Sequence, residues 1–403
     1  MSGAVIDPRL NPSRARPSSR MQWRWSDPRL RNIVWQVVIV GGVALIAWVL
    51  ISQLNENLAA RHIATGWAFL HQAAAIPIGE SMISYTPSVS TYGRALLVGI
   101  LNTLRVAVIG VVLTTILGTA VGIMRLSPNW LAARISAIYV EVLRDIPVLL
   151  QLLFWYGVMQ VFPGPRQALR PVPGVFLSNR GIKLPALQWA SAHSWAVVGF
   201  LVGVAGVVAL SRHAARRQAE TGRRPRTWPV SVLLLVGLPV AVWAALGGPF
   251  VVEMPVLRGF NFQGGLTVSP EYAALLVGLV VYTSSYIAEI VRSGIEAVPG
   301  GQWEAGGALG LHRAQVLRQV VLPQALRVIV PPMTSQYLNL IKNSSLAVAI
   351  GYQDIVSIAD TTLNQTGQAI EGVGIIMAVY LCFSLSISLI MNWYNARIAL
   401  VER

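Results

Sequence analysis

"EAGGALGLHRAQVLRQVVLP", Glu304 to Pro323, lies between two long apolar runs. It holds one early acid, three glycines, two arginines and a terminal proline. Arginine is costly in hydrocarbon, and glycine is poor material for a helical core. The stretch therefore belongs beside a membrane rather than within one, and its meaning depends on which side it faces.

The composition points to lipid. Of 403 residues, 54% are hydrophobic and only 12% charged, where a soluble domain carries about a quarter charged. Apolar runs of about 20 residues, enough to cross roughly 30 Å of hydrocarbon, recur along the chain. Eight candidate spans are read: 33–54, 95–124, 135–162, 194–210, 230–247, 272–291, 328–350 and 372–393. Pro239 does not exclude the fifth, because neighbouring helices satisfy a freed carbonyl. The small faces Gly118/Gly122 and Gly199/Gly203/Gly206 suit close helix contacts.

The net charge of +15 is concentrated rather than spread. Seven arginines lie between Arg9 and Arg31, and six between Arg212 and Arg226. Such clusters beside apolar spans mark cytoplasmic loops, and no basic-aromatic module points to nucleic acid. Both termini and the 304–323 stretch then face the cytoplasm. One loop opposes this topology: the outward-facing 164–193 carries Arg166, Arg170, Arg180 and Lys183. In the outer loop 55–94, Thr65 to Ile78 reads either as an amphipathic interfacial helix or as a loop helix packed on the bundle. Cys382 is the only cysteine, which excludes an intrachain disulfide. No cleavable signal precedes the first run, which reads as a retained anchor.

Enzyme motifs are missing. The five histidines show no metal-ligand spacing, no GxSxG elbow occurs, and neither lysine lies in a phosphate-binding loop. An ATP-driven version of this protein needs another chain to hydrolyse the nucleotide. In the cytoplasm, Trp303 to Leu309 predicts a short helix with Glu304 in its first turn, where the helix dipole favours an acid. Gly306 and Gly307 each cost roughly 1 kcal/mol against alanine in a helix, and a face without side chains lets another protein's groove close on the backbone. Gly310 suits the turn that ends this helix. Residues 312–322 resume the helix, and Pro323 is expected to end or kink it. The alternative is an ordinary interfacial loop.

The spacing EAA-x3-G-x9-I-x-LP resembles the signature of permease subunits of bacterial ABC importers. Glu304, Ala305, Gly310, Leu322 and Pro323 fit, while Gly306 and Val320 replace an alanine and an isoleucine. Upstream, "YTSSYIAEIVRSGIEAVPGGQWEAGGALG" (282–310) is similar to the polar amino-acid branch, in which a lysine is common where Gly300 stands. Residues 99–127, 139–156 and 340–355 also look like this branch, and "STYGRALLVG" and "SNRGIKLP" resemble the long permeases of general L-amino-acid transporters.

The resemblance implies an all-α polytopic type I importer fold, with about eight spans and a cytoplasmic coupling helix. It implies the organisation 1–32 basic tail, 33–54 additional helix, 55–94 periplasmic loop, 95–162 first core part, 163–270 insertion with two spans, and 271–403 second core part. Glu304, Ala305, Gly306, Gly310, Leu322 and Pro323 would seat in a groove of the ATP-binding subunit. The partners implied are a second and unlike permease, two ATPase chains holding ATP and Mg, and a periplasmic amino-acid-binding protein, all in the inner membrane. An ion-coupled secondary carrier is the rival reading. It leaves the elbow unexplained and calls for repeats that the sequence lacks.

Polar residues inside spans are candidates for a substrate path. They are Asn102, Thr103 and Arg105 in the second span, and Lys342, Asn343, Ser344 and Ser345 in the seventh. For Arg105 the alternative is a helix–helix bond or a snorkelling side chain. For Lys342 it is an anchor reaching the headgroups.

Overall fold

Prolines and glycines set where these helices break and where they meet. A computed structural model describes residues 28–60, 65–222 and 225–398. Residues 1–27 of the basic tail, Arg223, Arg224 and the terminal Arg403 lie outside the described residues. The chain divides into two units, 1–65 and 66–403. The first holds α1 (Pro28–Ala60), whose stretch Val34–Gln53 has a mean hydropathy of 2.4 with none of it buried. A helix apolar all round is one suited to lipid.

The second unit runs through α2 (Tyr92–Arg125), α3 (Trp130–Asp145), α4 (Val148–Val161), α5 (Ser191–Thr221), α6 (Trp228–Val232), α7 (Leu238–Ala245) and α8 (Pro270–Glu296). Then come α9 (Gly300–Ala308), α10 (Arg313–Val316), α11 (Leu322–Asn343), α12 (Ile355–Thr366) and α13 (Ala369–Ile398). Helix α8 is the axis of the core. Gly118 of α2 lies where a Cβ would meet Ile287 at 2.7 Å, and Gly122 where one would meet the Ala288 carbonyl at 2.7 Å. The GxxxG face thus lets two backbones approach as lipid-embedded helices require. Gly203 of α5 is likewise pressed against the Leu234 carbonyl.

Six described helices are long and apolar enough to cross a membrane: α1, α2, α5, the continuous Trp228–Ala245, α8 and α13. The other two expected spans take different forms. The third is broken into α3 and α4, because Pro147 drives Ile146 into an extended conformation. Gln151, 5% exposed, closes the break by donating Nε2 to the carbonyls of Leu143 and Ile146 at 2.8 and 3.0 Å. The seventh, expected to run to Ile350, stops being α-helical at Asn343 and continues as a 3-10 helix, Ser344–Ile350, to a left-handed Gly351.

Two prolines are absorbed rather than obeyed. A π turn at Leu233–Gly237 precedes Pro239, and another at Leu317–Val321 precedes Pro323. Each turn shifts the carbonyl pairing just where the proline supplies no N–H, so neither helix ends there.

The fold is all-α apart from short strands. In the 163–270 segment, β1 (Phe176–Ser178), β2 (Gly181–Leu184) and the later β7 (Leu266–Val268) form an antiparallel sheet, with Lys183 opposite Thr267. Two further pairs join β3 (Ala186–Leu187) to β4 (Val252–Glu253) and β5 (Val256–Arg258) to β6 (Asn261–Gln263). Lys183 donates to the Thr267 hydroxyl, and partial burial lowers its ammonium pKa from the ordinary value. Residues 65–78 form neither expected helix. A short 3-10 turn, Ala68–His71, leads into extended chain, and Phe69, Ala74 and Ile76 are buried with α2 and α12 residues.

Candidate functional site

The elbow is built by one close approach and one turn. Helix α9 begins at Gly300, so Glu304 lies in its second turn and not in the first, as the sequence reading had it. Gly306 is buried, and a Cβ there would meet Val316 of α10 at 2.8 Å. Its missing side chain therefore serves the packing of the elbow on itself, a correction to the expectation that it opens a surface to a partner. Gly307 does present bare backbone, with nothing within 4 Å of a Cβ.

Gly310 has φ +73° and donates to the Gly307 carbonyl at 2.9 Å, while Leu311 donates to that of Gly306 at 3.2 Å. This pair of bonds is a Schellman turn, which needs a residue at ease in left-handed geometry. Trp303 and Leu311 anchor the elbow against Val316 and Val321. Opposite lie exposed Glu304, Ala305 and Ala308, with Leu309 80% exposed. Glu304 forms no ion pair among the described residues. Leu322 and Pro323 continue the helix into α11. The arrangement is a rigid knob, small in side chains, with a charge and an apolar tip free for a partner.

Between α8 and α11 lies a partly open polar cavity of about 280 Å³, lined by Tyr282, Thr283, Tyr286, Gln336, exposed Asn339 and Asn343. The Tyr282 and Tyr286 hydroxyls are 3.1 Å apart, and the Arg144 guanidinium lies 5.0 Å from the Tyr286 ring centroid. The Thr283 hydroxyl is buried with no hydrogen-bond partner. Tyr282 stands about 18 Å from the start of α8, near mid-helix. Of the residues named from sequence, only Asn343 lines this cavity. The rest carried a legible signal: Gln336, Asn339 and Asn343 follow a 3–4 spacing on one helix face, as Tyr282 and Tyr286 do.

The other sequence candidates are placed elsewhere. Lys342 is exposed, in the last turn of α11, where a cation suits the helix dipole. The hydroxyls of Ser344 and Ser345 donate at 2.7 Å to the carbonyls of Ile341 and Lys342. Thr103 donates to Gly99 at 3.0 Å and accepts the Ile355 N–H at 3.1 Å. Arg105 pairs with Glu80 at 2.8 Å and lies over the Tyr272 ring. Asn102 donates Nδ2 to the carbonyls of Glu80 and Gln353 at 3.1 and 2.9 Å. At the other end of α2, Glu289 holds both Arg125 and Arg292.

The described residues thus combine membrane-length helices, a partly open polar cavity and an exposed elbow. Residues 226–400 match the family described as "Binding-protein-dependent transport system inner membrane component". The chain is 47% identical over 382 residues to the putative amino-acid ABC transporter permease protein YhdX of Escherichia coli (strain K12), covering 94% of this chain and 97% of that one. It is 47% identical over 378 residues to the general L-amino acid transport system permease protein AapQ of Rhizobium johnstonii, 94% of each chain. To the glutamate/glutamine/aspartate/asparagine transport system permease protein BztB of Rhodobacter capsulatus it is 40% identical over 413 residues, 94% and 96% of the two chains.

The chain belongs to the family of inner-membrane permease subunits of binding-protein-dependent ABC importers. It is a multi-pass inner-membrane protein of an ATP-driven system, with hydrolysis on separate ATPase subunits. The secondary-carrier reading falls with this finding.

Proposed function

We propose that this chain carries L-amino acids through the inner membrane, coupled through the 304–323 elbow to ATP-binding subunits. The single observation that supports this best is the elbow. Its Schellman turn fixes two helices at one angle, and it presents Glu304, Ala305, Ala308 and Leu309 away from the chain's own core. The full-length similarity to two amino-acid permeases and to one for glutamate, glutamine, aspartate and asparagine supports the substrate class.

In this reading Glu304, Ala305, Gly306, Gly310, Leu322 and Pro323 form the coupling unit, with Gly306 and Gly310 shaping it. A second, unlike permease completes the path, two ATPase chains bind ATP and Mg, and a periplasmic binding protein delivers substrate. Both termini lie in the cytoplasm. Substrate passes the cavity at Asn343, with Lys342 exposed beside it where a path between two permease chains would run. Thr103, with its hydroxyl engaged on both sides, holds α2 to α12.

Glu304→Lys reverses the elbow's charge, and Gly310→Val forces a β-branched residue into left-handed geometry, at roughly 1–2 kcal/mol. Both variants are expected to abolish uptake and weaken copurification of the ATPase while binding-protein docking persists. Unchanged uptake in both, at equal protein levels, contradicts the proposal.

A further inference from the structure

The geometry points to a second amino-acid site, an ammonium-binding cavity at the end of the bundle where α8 begins. The cavity holds about 220 Å³ and is walled by Gly79, Glu80, Asn102, Thr267, Glu271 and Gln353, among others. That is below the roughly 300–1,000 Å³ of drug-sized pockets and suits a small polar head group. The inference rests on the reading that the chain carries amino acids, and it names a place where one is received.

The hydrogen-bond inventory selects the ligand. Several donors around the cavity are engaged: Gly79 N–H on Gln353 Oε1 at 2.6 Å, Ser269 N–H on Glu80 Oε1 at 2.5 Å, Gln353 Nε2 on the Pro77 carbonyl at 2.5 Å, and Asn102 Nδ2 on two carbonyls. The acceptors are in surplus. Asn102 is 1% exposed, and its Oδ1 has no hydrogen-bond partner. Among the described residues, the Glu271 carboxylate accepts one side-chain hydrogen bond, from the Tyr156 hydroxyl at 3.4 Å. A buried amide oxygen left unpaired is destabilising, and an arriving N–H donor would offset that loss.

Charge narrows the choice further. Arg105 pairs with Glu80 at 2.8 Å, so Glu271 is the wall carboxylate without an ion pair among the described residues. A primary ammonium brings one positive charge and three donors, and matches both counts. Calcium would require six to eight oxygen ligands and more negative charge. Thr267, from the insertion's last strand, bonds Lys183 at the cavity edge, where a carboxylate could turn toward the lysine. The 163–270 insertion thereby gives the site one wall and a cation.

The site is tested in the complete reconstituted complex. In a Cys382→Ser background, Gly79→Cys gives this chain one thiol on the cavity wall, where a Cβ has its nearest neighbour at 3.8 Å. Labelling by a membrane-impermeant maleimide is read on this chain by mass. L-Glutamine at about ten times its Kd is expected to slow labelling about tenfold. N-acetyl-L-glutamine, which lacks the ammonium, is expected to leave it unchanged, Glu271→Gln to abolish protection, and Glu271→Asp to retain part of it.

No slowing by L-glutamine, L-alanine or L-leucine overturns the site, as does equal slowing by the acetylated compound. Ethylammonium protecting as strongly as L-glutamine assigns the cavity to a simple amine and overturns the amino-acid assignment. Uptake by the same vesicles is measured separately. Uptake without protection overturns this site alone, and absent uptake overturns the proposed function instead.

Discussion

Glycine at three neighbouring positions has three different duties here. Gly310 supplies a left-handed turn, Gly306 a close contact with Val316, and Gly307 a bare surface. The turn was legible in sequence, because a glycine after a short helix has one common use. The inward duty of Gly306 was not, since spacing alone does not say which face of a two-helix elbow turns inward. The same limit hid most of the polar cavity. Asn343 drew notice beside a lysine, whereas the 3–4 spacing that joins Gln336 and Asn339 to it on one helix face was not read. Lys342 gives the prediction at this scale. Its exposure agrees both with a path shared by two permeases and with an anchor at a helix end. Lys342→Met keeps the stem and removes the charge. The path reading expects uptake of several amino acids to fall at least about tenfold, a loss of about 1.4 kcal/mol, with ATP hydrolysis retained. Near-normal uptake removes Lys342 from the path.

Helices obey their sequences most plainly where small residues or prolines intervene. The GxxxG of α2 marks its crossing with α8, and Pro147 accounts for the break between α3 and α4. The π turns before Pro239 and Pro323 were not legible, because the extra residue is accommodated by packing that no local pattern records. The strands of the insertion were missed for a related reason. They have two to four residues each, too few to show alternation, and one of the pairings joins positions more than 80 apart, Lys183 with Thr267. At this scale Gly122→Leu is decisive. A side chain there meets the Ala288 carbonyl and Val291, and overpacking of this kind costs typically 1–3 kcal/mol. A lower melting temperature of the purified complex is expected, with Gly374→Leu, which faces open space, unchanged. Equal melting of both variants contradicts the helix crossing.

At the scale of the whole molecule, the proposed receiving cavity at the start of α8 and the elbow at 304–323 lie at opposite ends of α8. Charge predicts the orientation: the arginine-rich segments 9–31 and 212–226 are expected to face the cytoplasm, and the 164–193 loop the outside despite its cations. A topology reporter inserted near Pro173 is therefore expected to be periplasmic, and one following Arg403 cytoplasmic. A cytoplasmic signal at Pro173 would reverse the assignment of α3 to α5.

The central claim is that α9 is where this chain meets its ATPase, and thiol cross-linking tests it most directly. Cys382→Ser removes the only native thiol, and Ala305→Cys places one on the exposed face of α9 without touching the buried Gly306 contact. In the intact complex a short bifunctional thiol reagent is predicted to join this position to the ATP-binding subunit, and Gly259→Cys, in the insertion, is predicted not to be joined. A complex that retains its ATPase yet yields no cross-link from Ala305→Cys would contradict the account.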